Sequence, residues 1–358
     1  MLVALAAALA GCGRPRDTIF EGYAFVAVAG NSSLAVVDLA SFSVRRQIAL
    51  PNRPRELAVH PSGRVLYVLE ERGVTTVDTN RLEIIRTAPA GSPRRLRLDP
   101  SGKRLWVLDP PGQALRALAA GDLAGERQIR LPGEPVDFDL APDGRWACVS
   151  LVSGEAAIVD LEQGKTTATV RVGGEPGPVA VRYDGRRAFV ADRRERLLAA
   201  IDPAAGRLVA RLPLHTRPDV MRFKPDGGEL FVSGGDGGEV VIVSAYRDEI
   251  DQPLLTGAGP GEMAFSADNR LLYVANQNAN TVSAINIEDR RTLAAVPVGD
   301  RPHKVALTPD RQFALVLNWR SGDMAVIRRR MEAGKETFRL FTMIPVGSQP
   351  VDLVVQAR

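Results

Sequence analysis

The chain has 358 residues, with 46 Lys and Arg against 42 Asp and Glu, a net charge of +4. For this length the excess is small and the charges are interspersed, which argues against nucleic-acid binding and leaves open only a mildly basic face toward anionic lipid. Two widely separated cysteines and three histidines supply a structural metal site poorly.

The first segment stands apart. Residues 2–10 form an apolar run followed by Gly11 and Cys12, too short for a mature membrane-spanning helix. Leu9, Ala10, Gly11 and Cys12 resemble the bacterial lipoprotein processing box, cleaved before the cysteine that then carries lipid, although no Lys or Arg precedes the run. The expected division is a signal peptide over 1–11, a lipidated Cys12 with a tether over 12–22, and one domain over 23–358. Acylation of Cys12 would exclude a disulfide to Cys148. Under the same resemblance, Gly13 in place of Asp implies sorting to the outer membrane. The expected location is the cell envelope, lipid-anchored and facing the periplasm.

From Tyr23 onward a single unit repeats, and finding such a period precedes any local reading. Residues 23–29 and 34–38 are short apolar runs at strand length, and residues 43–50 follow as the outer strand of the same unit. A proline then opens each unit, at Pro54, Pro93, Pro135, Pro176, Pro218, Pro260, Pro302 and Pro350, with spacings of 39, 42, 41, 42, 42, 42 and 48 residues. Each proline leads into an apolar run. The first seven runs end in a turn such as Pro61-Ser62-Gly63 or Pro142-Asp143-Gly144, whose last residue favours a left-handed backbone. A strand with a large side chain follows in most units: Tyr67, Trp106, Phe189, Phe231, Tyr273. In the fourth unit Cys148 takes that place, which predicts a buried, inert thiol.

Unit three has a weak third run, residues 113–121 being rich in Ala and Gly. Asp160, Asp202, Asn276 and Asn318 end strands, where their side chains bond to local backbone. Residues 328–335 are a charged insertion that accounts for the 48-residue spacing. It is expected to form an exposed outer hairpin, with a partner-docking finger as the alternative. After Pro350 one strand remains, and the first unit lacks one. The fold class is therefore all-β: a β-propeller of eight four-stranded blades, closed by pairing the last strand with the first blade, with seven blades as the rival.

Tyr273-Val274-Ala275-Asn276, with Asn280-Thr281-Val282, resembles the repeat signature of the YVTN family of bacterial β-propellers. Leu66-Tyr67-Val68-Leu69 and Leu105-Trp106-Val107-Leu108 look like degenerate copies. The resemblance implies a propeller fold in a superfamily that includes haem d1-binding and lactonase-like members. It does not select a function.

No Rossmann or P-loop fingerprint, nucleophile elbow or paired-cysteine haem motif occurs. If first strands line the channel, residues flanking each proline gather at one mouth: Arg53, Arg55, Arg94, Arg95, Glu134, Asp137, Glu175, Arg217, Asp219, Glu262, Arg301, His303 and Lys304. Arg53, Arg55, Arg94 and Arg95, with Arg301 and His303 beyond the seam, make the most positive sector. Such a ring can seat a carboxylate or phosphate, or simply solvate the rim with salt bridges. His303 is the candidate for an axial haem ligand or general base. The expected function is a non-catalytic scaffold that binds an envelope protein or small ligand, with no cofactor and no catalytic residue. The alternatives are a haem d1-related carrier or maturation protein, and a lactonase-like hydrolase using a divalent metal.

Overall fold

The computed structural model describes residues 20–357, so the expected signal peptide and Cys12 lie outside the described residues. Eight antiparallel sheets form the ring. Blade 1 pairs Ser43–Ala49, Ser33–Asp38, Gly22–Val28 and Pro350–Ala357, from rim to channel. Blades 2 to 8 follow in order over residues 54–89, 95–130, 135–171, 176–213, 220–255, 260–297 and 302–345.

The seam is the expected one. Pro350–Ala357 pairs antiparallel with Gly22–Val28, from Gly22↔Ala357 to Val28↔Pro350. Unit three keeps its blade: Ala114–Ala119 is bonded on both sides, and Leu115 and Ala117 are buried toward blade 4. One departure from thirty-two strands occurs in blade 6. Its outer strand is split into Glu249–Ile250 and Leu254–Leu255, both on Glu239–Ser244. Pro253 lies in the gap, where a residue without an N–H interrupts a ladder.

Apolar burial is distributed between blades, not within them. Eight clusters occupy the eight junctions. The large residue of each second strand faces the next blade: Tyr67 packs toward blade 3, Trp106 toward blade 4 and Phe189 toward blade 6. Cys148 fills that position between blades 4 and 5, fully buried, and burial pushes its thiol pKa far up.

The innermost strands all run from one face to the other. The framing prolines mark the proline face, and the turns between first and second strands mark the opposite, turn face. There Gly63, Gly102, Gly144, Gly185 and Gly227 have φ of 67–74°, with Asn269 and Arg311 in the same region, as a left-handed turn position requires. The third strands of blades 1, 2, 4 and 5 end in Asp38, Asp78, Asp160 and Asp202, which cap the following turn, as where Asp160 accepts from the N–H groups of Glu162 and Gln163. The insertion in blade 8 forms the long outer hairpin Asp323–Glu332 and Lys335–Pro345.

Candidate binding site at the channel mouth

Side chains alternate along a strand, so positions two and four after a framing proline face the same way. In blades 2 to 4 these positions hold Glu56, Arg95, Arg97, Asp137 and Asp139. In blades 6 to 8 and 1 they hold Arg222, Glu262, Lys304 and Asp352. All but Asp139 line a narrow central cavity of about 160 Å³.

These charges neutralise one another. Arg97 Nη1 donates to Glu56 Oε1 at 2.8 Å, and its Nε lies 3.8 Å from Asp139 Oδ1. Arg95 Nε donates to Asp137 Oδ1 at 3.1 Å. Across the channel Arg222 Nη2 reaches both oxygens of Glu262 at 2.8 Å, and Lys304 Nζ sits 2.9 Å from Asp352 Oδ1. The carboxylates also accept backbone N–H groups of the next blade: Leu57 to Asp352 at 2.8 Å, Leu96 to Glu56 at 2.9 Å, Val179 to Asp137 at 3.3 Å and Val181 to Asp139 at 2.8 Å. Each of these four acids is thus a latch between neighbouring blades as well as an ion-pair partner.

The titration shifts follow from these contacts. Burial opposes the charge on Arg97, but Glu56, Asp137 and Asp139 outweigh it and raise its pKa. Burial likewise opposes charge on Glu262 and Lys304. Arg222 and Lys304 hold the Glu262 carboxyl below its usual range, and Asp352 and Glu262 hold Lys304 above its own. For Asp139 burial wins and the pKa is raised despite Arg97.

His303 is half-buried. Its Nε2 lies 3.1 Å from the Val351 carbonyl and donates to it. That fixes Nδ1 as the acceptor nitrogen, and Nδ1 is buried with no hydrogen-bond partner. Burial lowers the imidazole pKa, with Lys304 adding to the effect.

The expected site residues thus separate into two groups. Arg95, Asp137, Glu262, Lys304 and His303 lie inside the channel, the charged ones paired. Arg53, Arg55, Arg94, Glu134, Glu175, Arg217 and Arg301 are exposed on the proline face, with Asp219 half-buried beside them. Arg53 bonds to Gln349. Arg301 stacks over Trp319 at 5.4 Å, and Arg217 bridges Glu175 at 3.2 Å and Asp219 at 3.5 Å. Arg55 holds only a long contact, 3.7 Å, to Glu71. Arg94 has no ion-pair partner among the described residues. Its pKa is lowered by burial and by the positive charges of Arg95, Arg193 and Arg55, which Asp137 only partly offsets. The positive sector therefore centres on Arg94 and Arg55, flanked by Arg193, which donates to Asp219 Oδ1 at 3.0 Å; Arg301 and His303 have local partners of their own.

Arg97, Asp139, Arg222 and Arg193 were not among the sequence candidates. The first three carry a readable signal, standing one period-two step beyond Arg95, Asp137 and Val220. Arg193 lies in the loop between second and third strands of blade 5, a loop type that shares the proline face.

The family model described as "Lactonase, 7-bladed beta-propeller" matches residues 235–350, about a third of the chain. Uncharacterized protein YncE of Salmonella typhimurium is 27% identical over 97 residues, and that of Salmonella typhi 26% over the same length. Each match spans 27% of this chain and 27% of the relative. Among solved structures, dihydro-heme d1 dehydrogenase NirN in complex with DHE superposes with a TM-score of 0.77 at 18% identity, covering 96% of this chain and 77% of that one. Kuenenia stuttgartiensis hydrazine synthase gives 0.60 at 19% identity, covering 79% of this chain and 96% of that one. In fold the chain is a β-propeller with eight blades, where the family model that matches part of it has seven.

Proposed function

We propose that the protein is a non-catalytic binding module of the cell envelope, held at the membrane by lipid on Cys12, whose proline-face mouth receives an anionic group of an envelope protein or small ligand. One observation carries this reading: Arg94 stands exposed, with no ion-pair partner among the described residues, beside Arg55 and the paired Arg95 and Arg193, while the channel carboxylates beneath are spent on other cations. A carboxylate or phosphate delivered to the mouth would relieve that repulsion and meet guanidinium donors suited to it.

The two enzyme-like or cofactor-bearing readings fit the residues less well. A tetrapyrrole in the channel would need far more than about 160 Å³, since pockets for drug-sized ligands run to roughly 300–1,000 Å³. His303, the nearest axial candidate, has Nε2 committed to Val351 and Nδ1 buried. For a metal-assisted hydrolase, the described residues hold no group of three or more His, Cys, Asp or Glu arranged to bind an ion. The channel carboxylates are drawn toward Arg and Lys instead.

Titration calorimetry with citrate as the probe tests the proposal. The wild-type protein should bind it at low ionic strength, and the Arg55→Ala/Arg94→Ala/Arg193→Ala variant should bind at least about tenfold more weakly, given roughly 1.5–3 kcal/mol for a well-made charged hydrogen bond discounted for exposure. Equal affinity in both proteins would remove the mouth from consideration.

A further inference from the structure

The outer hairpin of blade 8 contains the longest strands in the molecule, of 10 and 11 residues. The second strand of that blade begins at Phe313, opposite Arg328. The four pairs from Arg329↔Phe338 to Glu332↔Lys335 therefore overhang the sheet. Its third strand runs in the same sense as the innermost strands, so the overhang projects from the turn face. Gly22 pairs with Ala357, at the end of an innermost strand, and so stands on the same face in the adjoining blade.

The base of the hairpin is fixed. Phe338 packs on Tyr273 with ring centroids 6.0 Å apart, and Arg329 Nη2 bonds to Glu336 Oε1 at 2.6 Å. Phe341 meets Phe42 of blade 1 at 5.1 Å and Phe313 at 6.0 Å. The tip is otherwise: Met331 is 65% exposed, and Phe341 on the flank 47%. Residues 328–339 carry Arg328, Arg329, Arg330, Lys335 and Arg339 against Glu332 and Glu336, five positive less two negative, a net +3. Both acids are engaged, Glu336 by Arg329 and Glu332 by Arg339 at 3.4 Å. The result is a braced basic projection with an apolar tip.

We infer that this hairpin docks the propeller on an anionic lipid surface, with Met331 entering the headgroup layer and the exposed Arg330, Lys335 and Arg339 facing lipid phosphates. The inference rests on the reading that Cys12 carries lipid. The ten residue steps from Cys12 to Gly22 reach at most about 35 Å, so an anchored ring is held close to the bilayer. Gly22 and the hairpin share one face in neighbouring blades, so the projection meets the membrane there and the proline-face mouth turns away from it. Lipid chains and basic residues act as two additive signals in such anchoring.

The test uses the full chain with Cys12→Ser, floated with vesicles of phosphatidylcholine alone or containing about one quarter phosphatidylglycerol. Flotation is expected only with the anionic vesicles and should vanish near 0.5 M salt, roughly, where screening shortens to a few ångströms. The added substitutions Met331→Ser/Lys335→Glu/Arg339→Glu should lower partitioning at least about 25-fold, at roughly fivefold per basic residue, with an unchanged melting temperature. Absence of flotation, equal flotation on neutral vesicles, no effect of the added substitutions, or capture of an envelope protein in place of lipid would each overturn the inference. Because Cys12→Ser bears no lipid, this result concerns the hairpin alone; the mass of native Cys12 decides the anchor separately.

Discussion

Asp137 shows how a single channel carboxylate holds two blades. One oxygen accepts from Arg95 Nε and the other from the Val179 N–H of the next blade. Asp137→Ala would strand a guanidinium and a buried N–H together, and should cost about 2–3 kcal/mol in urea unfolding once the partial exposure of Arg95 is allowed for. Glu134→Ala, on the exposed rim nearby, should stay within about 0.5 kcal/mol; similar losses for the two would show that the latch adds nothing. His303 gives the fold a pH dependence with a definite sign. Its pKa is depressed below the ordinary 6.5, chiefly by burial, so between 6.5 and the lower native value the unfolded chain takes up a proton that the folded one refuses. That contribution is fully present above 6.5 and is lost as pH falls below it. The opposing carboxyl Glu262, depressed from 4.5, acts only at lower pH. Melting temperature should therefore drop from pH 7.5 to 5.5 in the wild type and drop less in His303→Gln. Parallel declines would assign the effect elsewhere.

The strand Pro350–Ala357 contributes one buried leucine, Leu353, to the junction of blades 8 and 1, yet it also covers the whole edge of Gly22–Val28. Deleting residues 351–358 should thus destabilise the ring by more than Leu353→Ala, itself worth about 2–5 kcal/mol, and leave an edge open to intermolecular pairing. Scanning calorimetry and light scattering would register both; a deletion variant that melts as cooperatively and as high as Leu353→Ala would count against closure as a source of stability. This closure was legible because a strand missing at one end and left over at the other is a property of chain order. The interruption of the outer strand in blade 6 was less so: Pro253 is plain in the sequence, but whether a proline breaks an edge strand or only borders it depends on which N–H the ladder needs.

Across the ring, the count of blades could be read because proline and left-handed turns recur at fixed spacing, each imposed by local backbone geometry. The site could be read only in part. Period two predicts that Arg95 and Arg97 share a side of their strand, and likewise Asp137 and Asp139. It does not predict that ring curvature sets blades 2, 3 and 4 close enough for these charges to consume one another, nor that Arg94 is left over. Pairing across blades is a fact of closure, and closure also has a history. The three N-terminal strands of blade 1 leave the ribosome some three hundred residues ahead of the strand that completes them. Through that interval the edge of Gly22–Val28 must wait unpaired while seven blades form behind it. Joining the two ends is the contact of greatest sequence separation in the molecule, and such contacts form slowly. The last step in making this protein is therefore the one that turns a curved stack of sheets into a ring, and a chain halted a few residues short would carry every blade but never shut.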